Sequence, residues 1–414
     1  MPARPLRRVV AVLVCSACLL TPQAVSSSPA PRPTEGDRSS GPPAWSASGV
    51  FSTNGIRWSD VPRAHWARKA IDYVGATNDW MLDRKPDAEG RYAFEPDRLE
   101  SRKLWARALF RAFGTPVEPD PALAFSDLPA GDRFYRFAAN AVAAGWMVAS
   151  QDGAFRPDEP VTTREVHLAL VTALGLQDLA AGAQALHQQN GMPIDVPRGF
   201  GTLLTGMRLG LRYNHGDESM DVGPDTPLPR AEVAWSLYRA ATAPSWVRDS
   251  LEPYATMELP NLTKKLQQVV AFAAQYVGKP YVWGGEWHQP SPSGYCCGYQ
   301  PVGGFDCSGL TWWVLKAADA NWDNTPPRPY KGWALPQRTS AQMASIGRVR
   351  WRWIEPGDLL FYDGNDDGTV DHVDTYIGNG WAIDSGGSNA GVTITYVFDN
   401  WYEDHFVHAR HIVG

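Results

Sequence analysis

The sequence predicts two modules: an all-α array of three helix–loop–helix repeats, then an α+β domain with an antiparallel sheet and a helix opened by a cysteine. Three observations predict this. Asp60-Val61-Pro62, Asp127-Leu128-Pro129 and Asp195-Val196-Pro197 recur 67 and 68 residues apart. Each is followed by Pro-Asp (Pro96-Asp97, Pro157-Asp158, Pro224-Asp225) and, five or six residues later, by Arg102, Arg164 or Arg230 at the head of an apolar stretch. Near the C-terminal end, Asp306-Cys307-Ser308-Gly309 opens the apolar run 310–315, whereas 357–362 and 371–378 read as strands.

The repeats are assigned to 56–116, 122–177 and 192–243. Residues 244–261, with Pro244, Pro253 and Pro260, read as the joint to the second domain, 262–414. Its first helix is expected from Thr263 to about Val277. There Leu266, Val269, Val270, Ala273 and Val277 share a face, and Gly278 and Pro280 stop it.

Ahead of the repeats, Arg4, Arg7 and Arg8 precede an apolar run from Val9 to Leu20, as in an export signal assigned to 1–30. The run is shorter than the roughly 20 residues of a membrane span. Residues 31–55 are rich in Pro, Ser and Gly and read as a flexible linker. Removal of the signal would leave Cys296, Cys297 and Cys307, which fits one pair and one free thiol in an oxidising compartment. Cys296 and Cys297 would either bond to each other or let one of them cap Cys307.

With 414 residues, 44% hydrophobic and 20% charged, the chain is ordinary globular material for two to four domains. A formal net charge of -6 argues against nucleic acid as a partner.

The chemistry is carried by a thiol and an imidazole. Cys307 at a helix N-terminus faces unpaired N–H groups and the positive end of the helix dipole, which favour a thiolate. His372, brought from a strand, would take its proton and later give it to a leaving amine. Gly378-Asn379-Gly380 reads as a tight hairpin turn, so position 384 pairs with 374 and lies diagonal to 372. Side chains two apart share a face, so His372, Asp374 and Asp384 point the same way. Asp384 is then either the group that orients His372 or a solvated turn residue.

The blocks Gly278–Gly285, Asp306–Gly309, Leu335–Gln342, Glu355–Phe361 and His372 with Tyr376–Gly380 resemble the NlpC-type cell-wall cysteine peptidases, a papain-like fold, over roughly 262–414. The resemblance implies a peptidoglycan hydrolase acting on stem peptides, with cleavage between D-γ-glutamate and the following diamino acid. It implies Cys307 as nucleophile and His372 as base. It puts the third polar residue twelve positions after the histidine, at Asp384, and Tyr281 near the nucleophile. Asp306 and Ser308 join Tyr281 as candidate substrate and oxyanion residues. Asp374 departs from the family's glycine two residues after the histidine. A carboxylate there opposes a thiolate unless a cation offsets it.

The three repeats resemble S-layer homology units, which hold exported proteins to cell-wall polymers. Arg102, Arg164 and Arg230 keep the arginine of that family's Thr-Arg-Ala-Glu while the neighbours drift. Each is read either as a ligand for an acidic secondary cell-wall polysaccharide or as half of a structural salt bridge. The expected protein is therefore secreted to the wall, with no required cofactor. Calcium is considered because Asp363, Asn365, Asp367, Thr369, Asp371 and Asp374 fall at the ligand spacings of a calcium loop; the alternative is a polar hairpin loop.

Overall fold

The computed structural model describes residues 54–114, 123–290, 300, 302–316, 330–333 and 335–413. The expected signal segment, nearly all of the first linker, and Cys296 and Cys297 lie outside them.

The first part of the chain is helical. Its helices are α1 (Arg68–Ile71, running on as a π-helical turn over Asp72–Thr77), α2 (Arg102–Phe113), α3 (Tyr135–Ala143), α4 (Thr163–Ala173), α5 (Gln177–Gln184), α6 (Phe200–Arg208) and α7 (Arg230–Thr242). The recurring Asp has a job in the loops. Asp60 accepts from the N–H groups of Phe94 (2.9 Å) and Glu95 (2.7 Å). Asp127 does the same for Phe155 (2.8 Å) and Arg156 (2.7 Å). One carboxylate thus closes each loop by satisfying two backbone donors.

Short bridges join the units in a ring: Ser101 to Pro160, Thr162 to Pro227, and Leu99 to Pro229. The arginines fasten the same joints. Arg102 donates to Phe155 O (2.7 Å) and Val148 O (2.8 Å) and pairs with Glu165. Arg230 donates to Phe94 O (2.8 Å) and Met81 O (3.0 Å) and pairs with Glu100 (2.7 Å) and Asp83 (3.0 Å). Arg164, on the third joint, pairs with Asp225 at 2.8 Å in a far more exposed setting. Of the two readings left open by the sequence, the salt-bridge one describes all three; as polymer ligands Arg102 and Arg230 are corrected, because both are buried and fully engaged within the fold.

The expected joint, 244–261, is packed structure. It holds α8 (Ser245–Asp249), a 3-10 turn over Glu252–Thr256, and a strand pairing of β1 (His187–Gln188) with β2 (Glu258–Leu259). Leu251, Tyr254, Met257 and Leu259 are buried. The prolines mark turns, but the apolar residues between them decide the packing.

The second domain opens with α9 (Lys264–Ala274), capped by the Thr263 hydroxyl, which accepts from Leu266 N–H. β3 (Glu286–Trp287) pairs with β4 (Gly304–Phe305) directly ahead of α10 (Cys307–Leu315). After α11 (Ser340–Ala344) comes the main sheet: β5 (Leu359–Tyr362), β6 (His372–Gly378), β7 (Trp381–Gly386), β8 (Gly391–Tyr396) and, beyond α12 (Asn400–His405), β9 (Phe406–Arg410). The order is β8-β7-β6-β5-β9, antiparallel throughout. The β6–β7 register, Thr375 with Ile383 and Tyr376 with Ala382, matches the one read from the turn. Asn379 (φ 52°) and Gly380 (φ 83°) take left-handed conformations in that turn, which is why Asn-Gly serves there.

The sheet's two faces differ. Leu359, Phe361, Val373, Ile377 and Ile383 join the large core shared with α9, α10 and the helical units. Leu360, Tyr362, Tyr376, Ala382 and Tyr402 form a second cluster on the other face.

Candidate active site

Cys307 is the first residue of α10. Asp306 caps that helix by accepting from Gly309 N–H at 2.5 Å. The glycine is required: a Cβ at position 309 would lie 1.9 Å from Gly285 O. Cys307 is unpaired, almost fully enclosed, and 3.8 Å from Asp371 O. Burial thus comes with a polar neighbourhood rather than an inert core.

His372 and Asp374 begin β6 and are fully buried; Asp384 on β7 is nearly so. Asp374 Oδ1 lies 2.7 Å from His372 Nε2, and Asp384 Oδ2 lies 3.8 Å from the same nitrogen. The closer carboxylate is therefore Asp374, and the expectation that Asp384 orients the ring is corrected in that respect. Both face the ring, as the register requires, but Asp374 is on the ring's own strand, two residues away. Its carboxylate sits beside Nε2 as an ion-pair partner rather than in hydrogen-bonding geometry.

Burial alone would drive His372 toward its neutral form. The Asp374 charge and the adjacent Cys307 sulfur outweigh that and hold its pKa well above the ordinary value. Asp384 is raised as well, which for an acid favours the neutral form. Burial, helped by Asp374, pushes it up to about 7, against the pull of His372 and Arg208. Tyr362 on β5 lies against the imidazole, its ring centroid 5.9 Å away, and its hydroxyl is kept un-ionised by burial and the nearby carboxylates.

A second buried network lies under the start of α10. Arg338 contacts Glu286 (2.5 Å), Asp306 (3.1 Å), Ser308 Oγ (2.9 Å) and the carbonyls of Gly284 (3.2 Å) and Gly285 (3.0 Å). Asp306 and Ser308 were expected to meet substrate. Their oxygens are instead committed to the helix cap and to Arg338. Tyr281 is buried beside Phe305, two residues before Cys307, and its N–H donates to Ala390 O at 3.2 Å.

The calcium set does not assemble. Asp363 accepts from Asp367 and Gly368 N–H, Asn365 from Asp367 N–H, and Asp367 from Thr369 N–H. Asp371 accepts from Gly364 N–H at 3.0 Å, while Asp374 lies inside the sheet. These contacts make a polar turn that satisfies its own backbone. Strands flank the loop, so its twelfth position is carried into the fold rather than back toward the loop oxygens.

Sequence reasoning missed Arg338 as a site residue, although it lies within one of the resembling blocks. It also missed Arg208 on α6, whose position in the sequence offers no motif. Arg208 supplies a cation near the buried carboxylates, the need that Asp374 had raised.

Residues 278–411 match the model of the NlpC/P60 family. Murein DD-endopeptidase MepH of Escherichia coli (strain K12) is 31% identical over 34% of this chain and 43% of its own length. Bifunctional muramidase/DL-endopeptidase CwlT of Bacillus subtilis (strain 168) is 29% identical over 34% of this chain and 35% of its own. Probable endopeptidase p60 of Listeria monocytogenes serovar 1/2a is 32% identical over 28% of this chain and 18% of its own. The chain spans less than half the length of each of these relatives. With helix α10 and its antiparallel sheet, the C-terminal region is supported as a domain of the NlpC/P60 family, a family of peptidoglycan endopeptidases.

Proposed function

We propose that this protein is a secreted cysteine endopeptidase of peptidoglycan, cutting stem peptides between D-γ-glutamate and the diamino acid. The observation that carries the reading is the cysteine at the N-terminus of α10 beside a buried histidine flanked by two carboxylates. Cys307 sulfur attacks the carbonyl carbon, and backbone N–H at Cys307, with Tyr281, receives the oxyanion. His372 gives its proton to the leaving amine and then takes one from the water that hydrolyses the thioester. Asp374 stabilises the protonated ring before the amine leaves and again when it re-forms during hydrolysis, and Asp384 assists from the paired strand.

The helical region would hold the enzyme at the wall in the manner of S-layer homology units, by binding a secondary wall polysaccharide. A groove of about 530 Å³ among α4, α5 and α6, with Gln177, Gln184, Arg198 and Thr202 on its walls, suits a glycan better than the arginines at the joints. No helix among the described residues is long and apolar enough to cross a membrane.

A second reading is a wall-binding protein without catalysis. Asp374 in place of the family's glycine, and the complete burial of His372, favour it. Purified peptidoglycan incubated with the wild type and with Cys307→Ala separates the two. Soluble fragments released by the wild type alone support the peptidase; wall binding with no release by either supports the binder.

A further inference from the structure

We infer that Arg208, carried by α6 in the helical region, is a positioning residue of the peptidase site. The inference rests on the Cys307–His372 chemistry proposed above.

Arg208 Nη1 donates to Thr395 Oγ1 at 3.1 Å, and Thr395 Oγ1 donates to Asp384 Oδ1 at 3.2 Å. The other oxygen of Asp384, Oδ2, faces His372 Nε2. A chain of polar contacts therefore runs from α6 through β8 and β7 to the catalytic imidazole. Each member polarises the next, and a charged donor at its head strengthens the whole. Arg208 Nε is shut off from solvent, and the guanidinium lies 5.9 Å from the Tyr254 ring centroid. The charge therefore acts in a poorly screened setting.

The charge balance explains why it is there. The buried cluster holds two carboxylates, Asp374 and Asp384, beside the His372 ring, with the Cys307 sulfur alongside. Tyr254, Tyr362 and Tyr402 face the same cluster and add no positive charge. Arg208 is the guanidinium that acts on Asp384. It opposes the upward shift that burial imposes on Asp384, and the contact chain leaves the other carboxylate oxygen toward His372. Position 208 lies well ahead of residue 278, where the family match begins. The site is thus completed by the helical region, and α6 packs directly on β8.

The test is a double-mutant cycle on the full chain with Arg208→Met, Asp384→Asn and the pair. Two readouts are taken: kcat and KM on a stem-peptide substrate, and the rate at which iodoacetamide alkylates Cys307 at neutral pH. Arg208→Met should lower kcat and the alkylation rate about tenfold with KM little changed, and the double variant should be no slower than Asp384→Asn alone. Arg208→Lys should recover most of the loss, and Thr395→Val should lose part of it. Those two variants carry the test if Arg208→Met does not fold. A folded Arg208→Met with wild-type alkylation overturns the inference, as do effects of Arg208→Met and Asp384→Asn that multiply. Failure of the wild type to cut peptidoglycan would refute the proposed function, while the alkylation cycle would still decide the role of Arg208.

Discussion

Replacing Arg230 by Met tests whether the recurring arginines hold the helical units together. Arg230 and Glu100 are each only 1% exposed, so the pair has almost no solvent to fall back on. The substitution removes a charged donor from Phe94 O and Met81 O, takes its buried ion-pair partner from Glu100, and leaves Asp83 with only the longer pair to Arg98 at 3.5 Å. Removing one partner of such a buried pair costs about 3–5 kcal/mol. At roughly 2–4 °C per kcal/mol for a region of this size, the helical part should melt on the order of 10 °C lower. The loss should depend on pH. Burial raises Glu100 to about 7 even with Arg230 present, so its stability contribution falls as pH rises from 4.5 through 7. Without Arg230 that fall continues to higher pH, and the gap between variant and wild type should widen by about 1 kcal/mol between pH 5 and 8. Arg164→Met is the internal comparison. Its pair with Asp225 is largely exposed, so its loss should cost under about 1 kcal/mol. Thermal and urea unfolding followed by circular dichroism measures all of this. Equal losses for the two variants, or an unchanged Arg230→Met that no longer binds walls, would refute the structural role.

Other consequences are as direct. Asp374→Asn should lower kcat by about 10²–10⁴ and do more harm than Asp384→Asn, because Asp374 is the closer partner of His372; steady-state kinetics on one substrate ranks them. His167 is buried between α4 and α6 and held near 3, chiefly by burial and also by Arg212 and Arg164. A histidine so depressed contributes fully above pH 6.5 and loses that contribution as pH falls toward 3, about 5 kcal/mol in all; His167→Leu should flatten the acid limb of the stability curve. Chelation with EDTA should leave activity and melting temperature unchanged, since the loop at 363–371 satisfies its own backbone without an ion; a drop reversed by calcium would overturn that account.

How much of this was legible depended on how locally each feature is encoded. The helix at Cys307 follows from an Asp cap and an apolar run, and the β6–β7 register from a Gly-Asn-Gly turn, all within a few residues. The burial of His372 with Asp374 and Asp384 on one face follows from period two. Which carboxylate comes closer does not, because side-chain rotamers settle a difference between 2.7 and 3.8 Å. The roles of Arg338 and Arg208 were hidden for another reason. Each acts on residues far away in sequence, and a lone arginine carries no local mark of the acid it will meet. At the joint, 244–261, the prolines are visible in the sequence, but the burial of Leu251, Tyr254 and Met257 depends on tertiary partners.

The most direct measurement of the central claim is mass spectrometry of a defined stem peptide after incubation with the full chain and with Cys307→Ala. The account predicts one cut by the wild type, leaving a new amino terminus on the diamino acid, and none by the variant. An intact peptide with both proteins, or the same cut made by Cys307→Ala, would contradict it.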